Sequence, residues 1–193
     1  DTSRVGAKKP QSAILTLEQA TALKNDHPDT LVGYRDSLIL CLLLDHGLRV
    51  GEVAGLQVSE LNLDSATFTF YRSKVDLVQT HRMTPDTLVA AEKWLAGINF
   101  PLEGPLIRAM LKGNKVSERG ITVRAIAALV RKHGTAIGVP QLSPHDCRHY
   151  WATRAVAQGT DTFALRDAGG WKSIAMPARY VEASRIANER VKL

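Results

Sequence analysis

The sequence predicts a mainly α-helical domain with one small antiparallel β-sheet, an α+β fold. Most of the chain divides into apolar or amphipathic helical segments with recognisable start and stop signals. One stretch, residues 66–71, is rich in β-branched and aromatic residues and predicts a strand. Strands and helices do not alternate regularly along the chain, which argues against a parallel sheet built from βαβ units.

The first third of the chain carries clear helix signals. A capping-box pattern at residues 16–19 predicts a helix that runs to about residue 25. Residues 34–46 are hydrophobic on most faces, so they predict a central and buried helix. Gly47 ends that helix, and a short helix over residues 49–56 is expected after it.

The predicted sheet pairs residues 66–71 with residues 80–83 across a polar turn that carries Lys74. Pro85 then opens a helix that extends to about residue 96. Residues 101–114 are predicted to form a loop with a short apolar patch. Further helices are expected over residues 122–133 and from points near Ser143, Thr160 and Ser173.

Charge and cysteine content limit the function classes. The formal net charge of +6 favours a polyanionic partner such as DNA or RNA. Cys41 and Cys147 make neither a disulfide framework nor a four-ligand zinc site, which suits a reducing cytoplasm. The longest apolar run, residues 38–44, is too short to span a membrane. The polar, basic residues 1–12 are interpreted as a tail or linker before a domain over residues 13–193.

A helix start lies in the segment Ser-Pro-His-Asp-Cys-Arg-His at residues 143–149. Its serine is a good N-cap, its proline suits the first helical position and its aspartate can bond back to the cap. His145 and Arg148 then lie three residues apart on one face near the helix start, where free amide groups favour an anion such as phosphate. A capped helix with incidental polar residues is the alternative for this motif taken alone.

His145 and His149 also have the spacing of a zinc-binding pair on a helix. The metalloprotease pattern needs a glutamate directly after the first histidine, where Asp146 stands, and no third ligand is evident. Cys147 would point away from both histidines. A zinc hydrolase is therefore disfavoured, no metal or other cofactor is predicted, and His149 is interpreted as a structural hydrogen-bonding residue.

Arg49 and Tyr180 are further candidates for work on a phosphate. Arg49 follows Gly47 at a helix junction. Its guanidinium could donate to the unpaired carbonyls at the end of the preceding helix or to two oxygens of a phosphate. Glu52, one turn later, could orient Arg49 or form a surface ion pair. Tyr180 follows Pro177 in a context expected to be poorly buried. A phenol becomes a useful nucleophile at neutral pH only beside a base or concentrated positive charge.

Together these segments resemble the tyrosine recombinases, also called the phage integrase family. Residues 47–56 (Gly-Leu-Arg-Val-Gly-Glu-Val-Ala-Gly-Leu) resemble the family's first arginine segment. Residues 145–153 (His-Asp-Cys-Arg-His-Tyr-Trp-Ala-Thr) resemble its His-x-x-Arg segment. Residues 169–173 (Gly-Gly-Trp-Lys-Ser), followed by Tyr180, resemble the region that ends at the nucleophile. The likeness extends over nearly the whole catalytic domain of the family, from about residue 15 to residue 192.

The resemblance includes departures from the family pattern. Trp171 stands where histidine is more common, and an indole donates a hydrogen bond but cannot transfer a proton. Its implied role is to hold a phosphate oxygen or to pack against Tyr180. Gly169 stands where leucine is usual and is interpreted as a packing change. Lys74 stands at the position where members of the family have a lysine in a β-hairpin. A second basic residue, Arg72, lies two positions earlier.

The resemblance implies DNA cleavage without a metal, another cofactor or ATP. Tyr180 would attack the scissile phosphorus to give a 3′-phosphotyrosyl link and a free 5′ hydroxyl. Arg49 and Arg148 would stabilise the charge on the phosphoryl oxygens. His145 would assist deprotonation of the phenol, and Lys74 would protonate the departing 5′ oxygen. The 5′ hydroxyl of a partner strand can then reverse the step, which exchanges strands.

The resemblance also implies partners and a location. The partner is double-stranded DNA, on which the family assembles as a tetrameric synapse, here through the predicted helix at residues 181–193. Packing of that helix against its own domain is the alternative. Such enzymes usually carry an N-terminal core-binding domain, which is expected to be absent from this chain. The expected location is the cytoplasm of a bacterium, at the nucleoid, for a protein encoded by the bacterium or a phage.

Two other functions stay open from the sequence. A type IB topoisomerase or a telomere resolvase would use the same chemistry with a different outcome. A non-catalytic DNA-binding module could be built on residues 153–170, which loosely imitate a helix-turn-helix with its turn at Gly159. That module would leave Arg49, Lys74 and Tyr180 without a role.

Overall fold

The computed structural model describes residues 12–184, which form eight α-helices, one 3₁₀ turn and five β-strands. The helices are α1 (Leu17–Asn25), α2 (Leu31–His46), α3 (Val50–Gly55), α4 (Pro85–Gly97), α5 (Val123–Ala136), α6 (Pro144–Ala157), α7 (Thr162–Gly169) and α8 (Ala175–Ser184). The strands are β1 (Leu61–Asn62), β2 (Thr67–Arg72), β3 (Leu77–Arg82), β4 (Arg108–Leu111) and β5 (Lys115–Gly120). The mainly helical α+β class is confirmed.

Helix α2 is the centre of the main core, as its apolar sequence predicts. Almost all of its residues from Leu38 onward are buried, and α1, α4, α5 and α6 pack around it. The helix begins three residues earlier than predicted because the side chain of Thr30 accepts a hydrogen bond from the Gly33 amide and caps it. Gly47 ends it in the left-handed conformation, with φ of 59°.

The predicted hairpin is present, with a shorter turn than expected. Strands β1, β2 and β3 form an antiparallel sheet in which Arg72 pairs with Leu77, so the turn is only residues 73–76. Phe68 and Phe70 point into the core at alternate positions of β2, as a half-buried strand requires. The hairpin thus places Lys74 at its tip.

The prediction of a loop over residues 101–114 is wrong. A second antiparallel sheet pairs β4 with β5, so residues 12–184 contain two small sheets. The apolar patch of the predicted loop is buried core, with Leu106 and Ile107 each 0% exposed. The sequence gives little sign of this sheet because β4 is short and because β5, Lys-Val-Ser-Glu-Arg-Gly, is almost entirely polar and contains no buried residue.

The last third of the structure is helical, and its predicted helix starts are confirmed within about two residues. Helices α6, α7 and α8 enclose a second, smaller apolar cluster formed by Ala152, Leu165 and Tyr180. Helix α8 continues the chain to Ser184. Most of the predicted tail and most of the C-terminal segment expected to act in assembly lie outside the described residues. Across residues 12–184, the structure contains no helix with the length and apolar character needed to cross a membrane.

Candidate active site

Arg49 sits at the N-terminal end of α3, directly after the turn that Gly47 makes. Glu52 binds Arg49 twice: one carboxylate oxygen accepts from the Arg49 backbone amide at 2.7 Å, and the other from Nη1 at 2.9 Å. The Glu52 side chain is only 6% exposed, whereas that of Arg49 is 22% exposed. This is therefore a mostly buried pair that orients Arg49, and it is not the surface ion pair that was the alternative for Glu52.

Arg148 lies in the second turn of α6 and is buried. Its Nη1 donates to the carbonyl of Gly47, and its Nη2 donates to the carbonyl of Gly169 at 2.6 Å. Arg148 therefore joins the C-terminal ends of α2 and α7. Burial, followed by repulsion from Arg49 and Arg72, lowers the pKa of Arg148 to about 10, so the guanidinium stays charged at neutral pH.

The capping box that the sequence predicts at the start of α6 is present. The Ser143 side chain accepts from the Asp146 amide, and Asp146 accepts from the Ser143 amide at 2.9 Å. The other carboxylate oxygen of Asp146 accepts from the Ala13 amide at 3.0 Å. This ties the start of the described chain to the helix that carries Arg148.

Tyr180 is buried, with 8% exposure, which corrects the expectation of a poorly buried residue. It faces α6, where its ring lies 5.1 Å from that of His149, and it also lies 6.1 Å from the ring of Trp171. Burial raises the pKa of Tyr180, and the charge of Arg148 opposes that rise. The resting phenol is therefore protonated at neutral pH. The sequence around Tyr180 is not apolar enough to predict this contact.

Trp171 packs over the guanidinium of Arg148. The Arg148 carbon Cζ lies 4.4 Å from the Trp171 ring centre, a cation–π distance. Gly169 makes this position possible, because a side-chain carbon on Gly169 would lie 2.7 Å from Cη2 of Trp171 and closer still to two other ring atoms. The packing role predicted for Gly169 therefore has a physical basis: the indole occupies the space that a larger residue would fill.

His145 and Lys74 are exposed, unlike the residues above. His145 lies in the first turn of α6. Burial, followed by repulsion from His145, lowers the pKa of His149, which contacts Tyr180. Lys74 lies in the hairpin turn, two residues after Arg72, and no hydrogen bond or ion pair joins it to another residue of the described chain. His149 also approaches Thr153 at 3.5 Å, a distance at the limit of a hydrogen bond.

Sequence reasoning missed the role of Arg72. This residue is 0% exposed, and its Nη1 donates to both carboxylate oxygens of Glu52, at 2.9 and 3.1 Å. A signal was present, because Arg72 continues the inward-pointing alternation of Phe68 and Phe70 along β2. A charged residue at a core-facing position needs a buried partner, and Glu52 is that partner.

Among residues 12–184, histidine, cysteine, aspartate and glutamate side chains form no group of three or more that could hold a metal ion. The site is instead dominated by three guanidiniums, those of Arg49, Arg72 and Arg148, around the single carboxylate of Glu52. This excess of positive charge beside a buried phenol suits an anionic ligand such as a phosphate diester.

Comparison with known proteins identifies the family to which the chain belongs. The model of the phage integrase family matches residues 14–185. The tyrosine recombinase XerC of Methylobacterium sp. (strain 4-46) is 32% identical over 169 residues, which cover 83% of this chain and 50% of that protein. The tyrosine recombinase XerA of Thermococcus kodakarensis is 28% identical over 93% of this chain and 62% of that protein. The chain thus spans about half to three fifths of the length of these relatives.

Solved structures share the fold. A crystal structure of XerA recombinase superposes with a TM-score of 0.71 at 21% identity, covering 90% of this chain and 61% of that one. A post-cleavage complex of XerH site-specific recombinase with a palindromic difH substrate gives a TM-score of 0.70 at 16% identity, over 90% of this chain and 50% of that one. With the family model matching most of its length, the chain belongs to the phage integrase family, the tyrosine recombinases.

Proposed function

We propose that this chain is the catalytic domain of a site-specific DNA recombinase that breaks and rejoins strands through a tyrosine. The observation that carries the proposal is the convergence of Arg49, Arg148, Trp171 and Tyr180, which come from four separate segments. A non-catalytic DNA-binding module would have no use for a buried phenol beside a buried guanidinium. Two of the relatives named above are tyrosine recombinases, and the XerH structure is a complex with its DNA substrate.

In the proposed reaction, the phenol oxygen of Tyr180 forms a bond to the scissile phosphorus. The bond from phosphorus to the 5′ oxygen breaks. The phenol loses its proton and the departing 5′ oxygen gains one, so the number of protons is unchanged. Arg49 and Arg148 hold the non-bridging oxygens and stabilise the negative charge that accumulates on them. The Trp171 indole donates one further hydrogen bond.

Proton transfer is assigned to the two exposed candidates. His145 assists removal of the phenol proton, and Lys74, at the tip of the β2–β3 hairpin, protonates the departing 5′ oxygen. The exposure of both side chains supports these roles because each remains free to close on bound DNA. The phosphotyrosyl bond conserves the energy of the phosphodiester, so the reaction needs neither a metal nor ATP.

The proposal includes double-stranded DNA as partner and assembly into a tetrameric synapse through the C-terminal segment. Because the proposed substrate is DNA, we propose the bacterial cytoplasm, at the nucleoid, as the location of the protein. A type IB topoisomerase or a telomere-resolving enzyme is the second candidate, because the same residues serve both chemistries. Joining of two different duplexes supports recombination, whereas relaxation of one supercoiled circle supports a topoisomerase.

The direct test is covalent capture in EDTA. A library of nicked random-sequence duplexes is incubated with the protein at low salt, and covalent adducts are separated on a denaturing gel. We expect an adduct with the wild-type protein and none with Tyr180→Phe. Tyr34→Phe is the matched control, because Tyr34 lies at the start of α2 and bonds Asp29 instead. An adduct that persists in Tyr180→Phe, or that requires a divalent metal, would contradict the proposal.

A further inference from the structure

Four side chains from four other segments converge on the C-terminal end of α7. Each donates to one of four consecutive backbone carbonyls there. The pairs are Gln79 to Asp167 at 2.5 Å, Arg72 to Ala168 at 2.7 Å, Arg148 to Gly169 at 2.6 Å and Arg49 to Gly170 at 3.4 Å.

This convergence has a simple electrostatic cause. The last carbonyls of a helix lack partners within the helix and form the negative end of its dipole, which attracts cations. Gly170 turns the chain with φ of 60°, so the carbonyls become accessible from several sides. The end of α7 therefore acts as a common anchor for both arginines that the proposed reaction uses.

Arg72 differs from those two arginines because its guanidinium is fully engaged inside the protein. Its Nε donates to Gln79, its Nη1 to both oxygens of Glu52 and its Nη2 to Ala168. The side chain is 0% exposed. Arg72 therefore has no surface with which to touch DNA, and any effect on the reaction must pass through the groups that it holds.

The group that Arg72 holds is the carboxylate that orients Arg49. Glu52 Oε1 accepts from Arg72 at 3.1 Å and from Arg49 at 2.9 Å. Without Arg72, this carboxylate would lose one of the two guanidiniums that fix it and would be free to rotate toward Arg49. Arg49 would then be drawn into a tighter ion pair, away from the position where its free donors meet a phosphate.

Arg72 also connects the β2–β3 hairpin to the end of α7. Together with Gln79 it ties the β2–β3 hairpin, and so the turn with Lys74, to the end of α7. The fit is close: a side-chain carbon on Gly170 would lie 2.8 Å from Arg72 Nε. The residue at this point of the chain must therefore be glycine both for its backbone conformation and for the space that Arg72 fills.

We propose that Arg72 is a positioning residue for DNA cleavage: it fixes Glu52 so that Arg49 meets the scissile phosphate. This inference rests on the proposed function. It assigns no contact between Arg72 and DNA.

The test compares two forms of one substrate. A duplex recovered by covalent capture on the wild-type protein is made with either a normal scissile phosphate or a methylphosphonate, in which a methyl group replaces one non-bridging oxygen. The methylphosphonate is uncharged, so its transition state carries less negative charge and depends less on a correctly placed Arg49. Single-turnover adduct formation is measured for wild type, Arg72→Met and Arg72→Lys at saturating DNA.

We expect Arg72→Met to slow reaction of the normal phosphate about 10²-fold, which is the scale of loss for a small misplacement of a catalytic group. On the methylphosphonate the wild-type and variant rates should become similar. Arg72→Lys should remain slow on the phosphate, because one ammonium cannot reproduce the fork. The dissociation constant for DNA should change little, and Arg82→Met, on the exposed face of β3, should match wild type on both substrates.

Equal slowing of Arg72→Met on both substrates would overturn the inference, because a general loss of structure slows the reaction of the phosphate and of the methylphosphonate alike. A wild-type rate for Arg72→Met on the normal phosphate would overturn it as well. If Arg72→Met fails to fold by circular dichroism, Glu52→Gln and Arg72→Lys carry the same comparison. No adduct from the wild-type protein in the initial capture would instead overturn the proposed function, and this inference with it.

Discussion

At the residue scale, the site couples a buried phenol to a buried guanidinium. Burial raises the pKa of Tyr180, and the positive charge of Arg148 counteracts that effect. The same burial lowers the pKa of Arg148, which nonetheless stays protonated at neutral pH. A phosphate that binds the arginines would weaken their attraction for the negatively charged form of the phenol. The proposed reaction therefore includes a separate proton acceptor, for which we propose His145.

The pairing of Gly169 with Trp171 leads to a prediction about stability. Gly169→Ala places a carbon within 2.7 Å of Cη2 of Trp171, so the indole must leave its position over Arg148. We expect a loss of roughly 1–3 kcal/mol in the free energy of unfolding, as for other overpacked sites. Urea titration followed by tryptophan emission measures both the stability and the displacement of the ring.

Gly55→Ala is the matched control for that prediction. Gly55 lies at the end of α3, where a side-chain carbon would have open space, with no neighbouring atom within 4 Å. Its replacement should stabilise the protein by about 0.4–1 kcal/mol, because alanine restricts the unfolded chain. Unchanged stability and emission in Gly169→Ala would show that Trp171 does not need the space above Gly169.

At the scale of elements, the ends of helices build the site. The C-terminal carbonyls of α2 and α7 both accept from Arg148. The N-terminal end of α3 carries Arg49, and that of α6 precedes Arg148 by one turn. Helix ends have unpaired backbone groups and opposite partial charges, so they are natural places for arginines and for anions. The two small sheets contribute mainly the hairpin with Lys74 and the buried Arg72.

The capping of α6 leads to a prediction at this scale. Asp146 accepts three hydrogen bonds, from the Ser143 amide and hydroxyl and from the Ala13 amide. Asp146→Ala would leave these donors unpaired at a mostly buried position, which costs roughly 1–3 kcal/mol for such a group. We expect a lower urea midpoint and faster hydrogen exchange at the start of α6.

Asp161→Ala supplies the comparison, because Asp161 caps α7 through local bonds alone, to the amides of Phe163 and Ala164. Its loss should cost about 1 kcal/mol, the usual value for a cap. If Asp146→Ala cost less than Asp161→Ala, the long-range bond to Ala13 would contribute nothing to stability.

At the scale of the whole molecule, two apolar clusters of unequal size carry different parts of the site. The large cluster around α2 supports Arg49 and the hairpin, and the small cluster of Ala152, Leu165 and Tyr180 contains the proposed nucleophile. The small cluster buries far less apolar surface, so the region of α8 should open more readily than the main core. Arg148 bonds to segments on both sides and links the two parts.

Two buried histidines lead to a prediction about acid stability. Burial lowers the pKa of His46 to about 3 and that of His81 to about 4, with Arg72 adding to the effect at His81. Both side chains are neutral in the folded state, whereas the unfolded chain binds protons below pH of about 6.5. Their contribution is thus complete above that pH and is lost as the pH falls toward the folded pKa values.

We expect His46 alone to reduce the free energy of unfolding by about 2 kcal/mol between pH 7 and pH 5, since one pKa unit corresponds to about 1.4 kcal/mol. Urea titrations at both pH values measure this difference. His46→Gln, which cannot titrate, should show a smaller decline. An equal decline in the free energy of unfolding of both proteins would show that His46 is not its cause. The carboxyl of Asp36, whose pKa is lowered, affects stability only at more acidic pH.

Much of the fold was predictable because local signals and burial agree. Capping residues, the apolar run of α2 and the alternation in β2 each act through near neighbours in the chain. The β4–β5 sheet was not predictable, because a polar strand such as Lys115–Gly120 is defined by its partner rather than by its own residues. The burial of Tyr180 depends in the same way on α6, which lies about thirty residues away in sequence.

The sequence was sufficient for the family resemblance and for the residues that we propose to carry the chemistry, Arg49, Lys74, His145, Arg148, Trp171 and Tyr180. It was sufficient because each motif is local. How these residues are held depends on the folded structure: Arg72 shares Glu52 with Arg49, and Gly169 makes room for Trp171. Four consecutive carbonyls at the end of α7 accept hydrogen bonds from Gln79 and from three arginines. These relations join residues up to 121 positions apart, and the chain acquires them only when helix ends with opposite unpaired groups are packed together.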